Sequence, residues 1–85
     1  MPVKFFLVDK KANKQFLKLP RNIQEKVLHA YRNLKLNPIS GTKLKGELSN
    51  YYKCRIGDYR IVYRFNPKTS TIEIVKIEHR QGVYK

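Results

Sequence analysis

The apolar residues change period near residue 50, and that change sets the class of fold this chain can adopt. Before it, Ile23, Val27, Ala30, Tyr31 and Leu34 fall at i, i+4, i+7, i+8 and i+11. This stripe marks one side of a helix running from about Asn22 to Leu36. Asn37-Pro38 stops it. After the change the pattern alternates. Tyr52, Cys54 and Ile56 point one way, and Lys53 and Arg55 the other. Gly57-Asp58 is a tight-turn signal. Tyr59, Ile61, Tyr63 and Phe65 then form one face, with Arg60, Val62 and Arg64 on its back. Asn66 to Ser70 is the next turn, and Thr71 to His79 the last strand. There Ile72 and Ile74 have the opposite parity from Val75 and Ile77. Apolar residues on both faces predict an interior strand covered on each side.

Upstream, Val3 to Val8 reads as a first strand rich in Phe, Leu and Val. Asp9 is placed to cap a helix through its carboxylate. Ala12, Phe16 and Leu19 give that helix an apolar stripe, and Pro20 ends it or bends the connection. Residues 38 to 49 read as a loop. The predicted fold is α+β with order β-α-α-β-β-β: an antiparallel four-stranded sheet with an N-terminal helical hairpin packed on one face. Eighty-five residues form one domain, 1–85.

Charge narrows the partners. Nineteen Lys and Arg against six Asp and Glu give a net charge of +13. Such a surface calls for an anionic partner, a nucleic acid or an acidic protein. A membrane is the weakest option, because the longest apolar run is Phe5-Phe6-Leu7-Val8. No stretch has the length of a signal-peptide core, so a cytoplasmic location is expected. The single cysteine, Cys54, permits no internal disulfide and no metal cluster. It reads as core, and Asp58 as a turn residue. No metal or cofactor is expected. The run Gly41-Thr42-Lys43-Leu44-Lys45-Gly46 is no phosphate-binding P-loop, since it lacks the Gly-Lys-Ser/Thr ending and follows a helix.

Parity sets Lys53 and Arg55 together on one strand, and Arg60 can face them across the Gly57-Asp58 turn. Arg80 shares parity with Lys76 and Glu78, and His79 with Val75 and Ile77. A cationic face suits a phosphodiester, whose oxygens accept hydrogen bonds from Arg and Lys. It can bind RNA and stop there. It can also cleave, because RNA carries its own 2′-hydroxyl nucleophile. The protein then needs only to deprotonate it, hold it in line and stabilise charge on phosphorus. A lysine among arginines has its charged form disfavoured, which suits a base. Lys43, Lys45, Arg64 and Lys76 are further candidates for contact with RNA or a ribosome. The plainer reading is structural: Arg60 pairs with Glu78 across the sheet, and Tyr84 is a packed anchor.

The segment Tyr52-Lys53-Cys54-Arg55-Ile56-Gly57-Asp58-Tyr59-Arg60-Ile61-Val62-Tyr63 resembles the central hairpin of the RelE/ParE toxin superfamily. The ending His79-Arg80-Gln81-Gly82-Val83-Tyr84 resembles the C-terminal motif of its RelE-type members. Leu44-Lys45-Gly46 and the β-α-α opening also fit. The resemblance implies a ribosome-dependent endoribonuclease that cuts mRNA in the A site of the 30S subunit, held inactive by a cognate acidic antitoxin. It implies a fold akin to microbial ribonucleases. It assigns Lys53 to proton transfer as base, Arg60 to the phosphate, Arg80 to phosphate or leaving group, and Tyr84 to the substrate nucleotide. Arg55 falls where the best-studied branch of the family has a second lysine. Arginine holds its proton too tightly to act as an acid, so Arg55 is assigned to transition-state charge. His79 is the substitute acid if its ring reaches the site. No glutamate matches the loop base of the YoeB-like branch; Glu47, the nearest, is offset. The competing expectations are a ParE-like inhibitor of DNA gyrase and a non-catalytic RNA-binding homologue.

Overall fold

The computed structural model describes residues 3–43 and 51–79. Strand β1 (Phe5–Val8) leads into helix α1 (Lys10–Leu17) and helix α2 (Arg21–Leu36). Strands β2 (Thr42–Lys43), β3 (Tyr51–Ile56), β4 (Tyr59–Asn66) and β5 (Thr71–His79) follow. The sheet has five strands in the order β1-β5-β4-β3-β2. The β3–β4 and β4–β5 hairpins form where the turn signals stand, with Gly57 at φ +56° in the left-handed region that a two-residue turn uses.

The sheet departs from the expected four antiparallel strands in two ways. It is mixed, because β1 runs parallel to β5, pairing Phe5 with Thr71 and Val8 with Ile74. It also gains β2, two residues antiparallel to β3 inside the segment expected to be loop. A two-residue strand carries no periodicity to read. The helices carry the chain across one face from the β1 edge to the β2 edge, and the hairpins bring it back. They make less of a closed hairpin than expected: α1 packs chiefly on β5, and α2 on β3.

The core lies between the helices and one sheet face. Ala12, Val27, Ala30, Tyr31 and Leu34 meet Ile61, Tyr63, Ile72, Ile74 and Ile77 there, with Tyr52, Cys54, Ile56, Tyr59 and Phe65 packed around them. Both helical stripes are therefore core stripes. Tyr31 carries the aromatic contact to both ends of the chain's first half, with its ring centroid 5.1 Å from that of Phe6 and 6.5 Å from that of Phe16.

Strand β5 is interior, as expected, but for a different reason. Val62 pairs with Lys76 and Tyr63 with Ile74, so Val75 is an extra residue, a β-bulge. The bulge resets parity, and Ile72, Ile74 and Ile77 all reach the helix-side core. Apolar residues of both parities therefore signal a bulge here, not two buried faces. Strand β1 pairs with β5 only as far as Ile74. Beyond it, Gln15 Oε1 of α1 accepts the Ile77 N–H at 2.8 Å in place of a strand partner.

Asp9 occupies the cap position of α1, yet its carboxyl makes no capping bond. It is hydrogen-bonded to Glu73 instead, which raises its pKa, while Glu73 is lowered by that same bond against the opposing effect of burial.

Tyr63 is fully buried, and its hydroxyl organises the segment before β2. It donates to Pro38 O at 2.9 Å and accepts from the Gly41 N–H at 3.1 Å. Burial pushes its pKa up to about 12, so it stays a neutral donor. Gly41 is required by close approach: a Cβ there would lie 2.6 Å from Tyr63 Oη and 2.7 Å from Lys53 O. Tyr63→Phe leaves both partners in place without the hydroxyl. We expect it to lower unfolding free energy by about 1–3 kcal/mol, measured by urea denaturation. A change within about 0.5 kcal/mol would show that the hydroxyl does not hold this segment.

Candidate active site

The sheet face away from the helices gathers most of the described cations that the sequence singles out. Three rows cross it. Arg55 on β3 pairs with Arg60 on β4, and Arg60 with Glu78 on β5. Next, Lys53 pairs with Val62, and Val62 with Lys76; Thr42 of β2 lies beyond Lys53. In the third row Tyr51 pairs with Arg64, and Arg64 with Glu73. Residues directly opposite in an antiparallel pair point to the same side, so these rows share one surface. Val62, only 6% exposed, sits at its centre and outside the helix-side core.

Two acids hold three of the cations. Arg60 Nε donates to Glu78 Oε2 at 2.9 Å, and Arg60 Nη2 lies 2.8 Å from the same oxygen. Lys76 Nζ takes the other oxygen, Oε1, at 2.5 Å. Burial works against an ionised Glu78, but hydrogen bonds from Lys76 and Arg60 outweigh it and hold its pKa below the usual glutamate value. Arg64 pairs with Glu73, its Nε donating to Oε1 at 2.6 Å, and its guanidinium stands 5.9 Å from the Tyr51 ring centroid. That hydrogen bond raises the Arg64 pKa further. Lys53 and Arg55 have no ion-pair partner among the described residues. The β3 side of the face therefore offers cations not matched by a carboxylate among the described residues.

The structure brings together Lys53, Arg55, Arg60, Arg64 and Lys76. It sets His79 apart. His79 pairs with Tyr59, and their rings meet edge to face at 4.6 Å on the helix-bearing side. Lys43 pairs with Tyr52, so it too belongs to that side. Lys45, Arg80 and Tyr84 lie outside the described residues, as does Glu47. Cys54 is half-buried, and burial raises its thiol pKa, which makes it a poor nucleophile. The expected pairing of Arg60 with Glu78 is present, and it does not remove Arg60 from the cationic face.

Sequence reading passed over two residues of this surface. Tyr51 shares parity with Lys53 and Arg55, a signal that was there to use. Glu73 shares this surface with Lys76 and Glu78 only because the bulge divides β5, and strict alternation hides that. A concavity of about 600 Å³ lies between α2 and β3, lined by His29, Asn33, Cys54 and Arg55 among others. Arg55 thus stands between the cationic face and this cleft.

Similarity to known proteins agrees with this architecture. The family described as "ParE toxin of type II toxin-antitoxin system, parDE" matches residues 6–84. Toxin RelG of Mycobacterium tuberculosis is 32% identical over 76 residues, covering 87% of each chain. The toxin–antitoxin complex RelBE2 of the same organism contains a chain that superposes with a TM-score of 0.84 at 28% identity, over 94% of this chain and 100% of that one. The archaeal RelE–RelB complex of Pyrococcus horikoshii OT3 gives a TM-score of 0.77 at 26% identity, over 94% and 97%. The chain belongs to the ParE toxin family of type II toxin–antitoxin systems, within the RelE/ParE superfamily.

Proposed function

We propose that this toxin is a metal-independent endoribonuclease that cuts mRNA in the ribosomal A site and so stops translation. One observation carries the reading: Lys53, Arg55 and Arg60 stand side by side on adjacent strands, and two of the three have no carboxylate partner among the described residues. A phosphodiester placed over them meets fixed cations where charge develops on phosphorus. The reaction breaks the bond from phosphorus to the 5′-oxygen and forms one to the 2′-oxygen. Lys53 takes the 2′-hydroxyl proton. Arg55 and Arg60 stabilise the non-bridging oxygens, and the leaving 5′-oxygen takes up a proton. Arg80 and Tyr84 are assigned, on family resemblance, to the leaving-group side and to the substrate nucleotide. His79 has no part in this scheme, because its ring packs against Tyr59 on the other face. Lys43, Lys45, Arg64 and Lys76 serve RNA or ribosome attachment.

The natural partners follow from charge and kinship. A chain of net charge +13 suits rRNA and mRNA phosphates and an acidic antitoxin. The related RelBE2 and archaeal RelE structures are complexes with antitoxins. The same face can instead dock an acidic protein, and the matched family description names a ParE toxin. Gyrase inhibition is therefore the second reading.

Primer extension on mRNA from translating ribosomes separates the two. New 5′ ends at A-site codons, absent without ribosomes, are the expected result. Arg60→Ala should slow their formation about 10²- to 10³-fold, the usual cost of one transition-state donor, and Lys53→Ala should act in the same direction. Intact mRNA alongside inhibited DNA supercoiling would transfer the assignment to gyrase. Binding to single-stranded RNA should also weaken as salt rises, with a slope of about −0.7 per phosphate contacted. A flat response over tenfold in salt would exclude an electrostatic mode.

A further inference from the structure

Glu78 is an acid on the β5 side of a surface suited to anions, and its contacts explain why it is there. Its two oxygens are divided, Oε2 to Arg60 and Oε1 to Lys76. Its side chain is 18% exposed, against 33% for Arg60 and 38% for Lys76. The carboxylate therefore lies deeper than the cations it joins. A guanidinium has five N–H donors in a fixed fork. Glu78 engages the Nε–Nη2 edge, and the Nη1 edge has no partner among the described residues. A cation with one edge held and one free is oriented rather than neutralised.

Lys76 and Arg60 sit in adjacent rows on adjacent strands, so they repel when nothing stands between them. Glu78 screens that repulsion. It also removes the rotational freedom of a long arginine before any substrate arrives, which is the requirement for preorganised charge stabilisation. Its cost is repulsion toward an incoming phosphate.

We propose that Glu78 is a positioning residue: it clamps the Nε edge of Arg60, with Lys76 on its other oxygen, so that the free edge of the guanidinium meets a phosphodiester in a fixed orientation. The inference rests on reading this face as a phosphodiester site. It separates binding from turnover, because losing the acid helps attract RNA while loosening the arginine.

Glu73 provides the control. It lies on the same face and strand, and pairs with Arg64, whose side chain is 51% exposed. Glu73→Gln removes the same charge as Glu78→Gln and leaves Arg60 held.

Three measurements decide the matter. The first is the ¹⁵N heteronuclear NOE of the Arg60 Nε–H, which needs no activity. It should fall in Glu78→Gln and stay at the parental value in Glu73→Gln. The second is binding of a short RNA made uncleavable by 2′-deoxy substitution, followed by fluorescence anisotropy. Both variants should bind as tightly as the parent or up to about threefold tighter. The third is single-turnover mRNA cleavage on ribosomes, which should slow by about tenfold or more in Glu78→Gln alone. Glu78→Asp, which keeps the charge but shortens the reach, should also be slow. An unchanged Arg60 NOE in Glu78→Gln overturns the proposal, as does parental cleavage or a joint loss of binding and rate. If the parent leaves mRNA intact, the ribonuclease reading fails, and the NOE still decides whether Glu78 holds Arg60.

Discussion

The bulge at Val75 is the constraint on which both the core and the cationic face depend. Before it, Ile72 and Ile74 face the helices; after it, Ile77 does. Strict alternation from Ile74 would instead turn Lys76 and Glu78 toward the helices and Ile77 away from them. Burying those two charges under the helices would be costly, and Ile77 would lose its place in the core. The extra residue avoids both. It sends Lys76 and Glu78 to the surface where Arg60 and Val62 stand, and sends His79 to Tyr59 on the other side. One irregular step in a ladder thus decides which cations can meet and which titratable ring cannot join them.

The rest of the fold holds that ladder in place. Gln15 supplies a side-chain acceptor to the Ile77 N–H beyond the end of β1, so the outer edge of β5 is tied to α1 just past the bulge. At the other side of the sheet, Tyr63 reaches from the core to Pro38 and Gly41, and the chain enters β2 from there. Its ring stacks on Tyr52 with centroids 5.4 Å apart. Lys53 and Arg55 project from the back of the strand that Tyr52 and Cys54 anchor. Side chains rooted in a strand packed this way are better fixed than the same residues on a loop.

The distribution of charge on the face is uneven, and that matters more than its sum. Glu73 and Glu78 bind cations at the β5 side, whereas Lys53 and Arg55 on β3 have no carboxylate among the described residues. Arg60 lies between the two sides and is both held and available. A surface with every cation paired would be solvated and inert toward phosphate. A surface with none paired would hold its long side chains loosely. The gradient across three strands gives attraction on one side and order on the other.

Much of this was legible in the sequence. The stripe from Ile23 to Leu34 and the alternation from Tyr52 to Phe65 were set by side-chain chemistry at fixed periods, so the helix, the β3–β4 hairpin and the shared side of Lys53, Arg55 and Arg60 followed directly. The parallel neighbour of β5 was not legible. Nothing local to Phe5–Val8 says that Thr71–Ile74 lies beside it, because that pairing joins segments more than sixty residues apart. Strand β2 was too short to have a period, and Asp9 exchanged a local capping bond for a carboxyl partner on a distant strand. His79 and Glu78 are adjacent in the chain and lie on opposite faces of the sheet. The sequence by itself determined that they part. Only the tertiary structure decided which of them meets Arg60, because the bulge forms where the buried isoleucines of β5 must all reach one core.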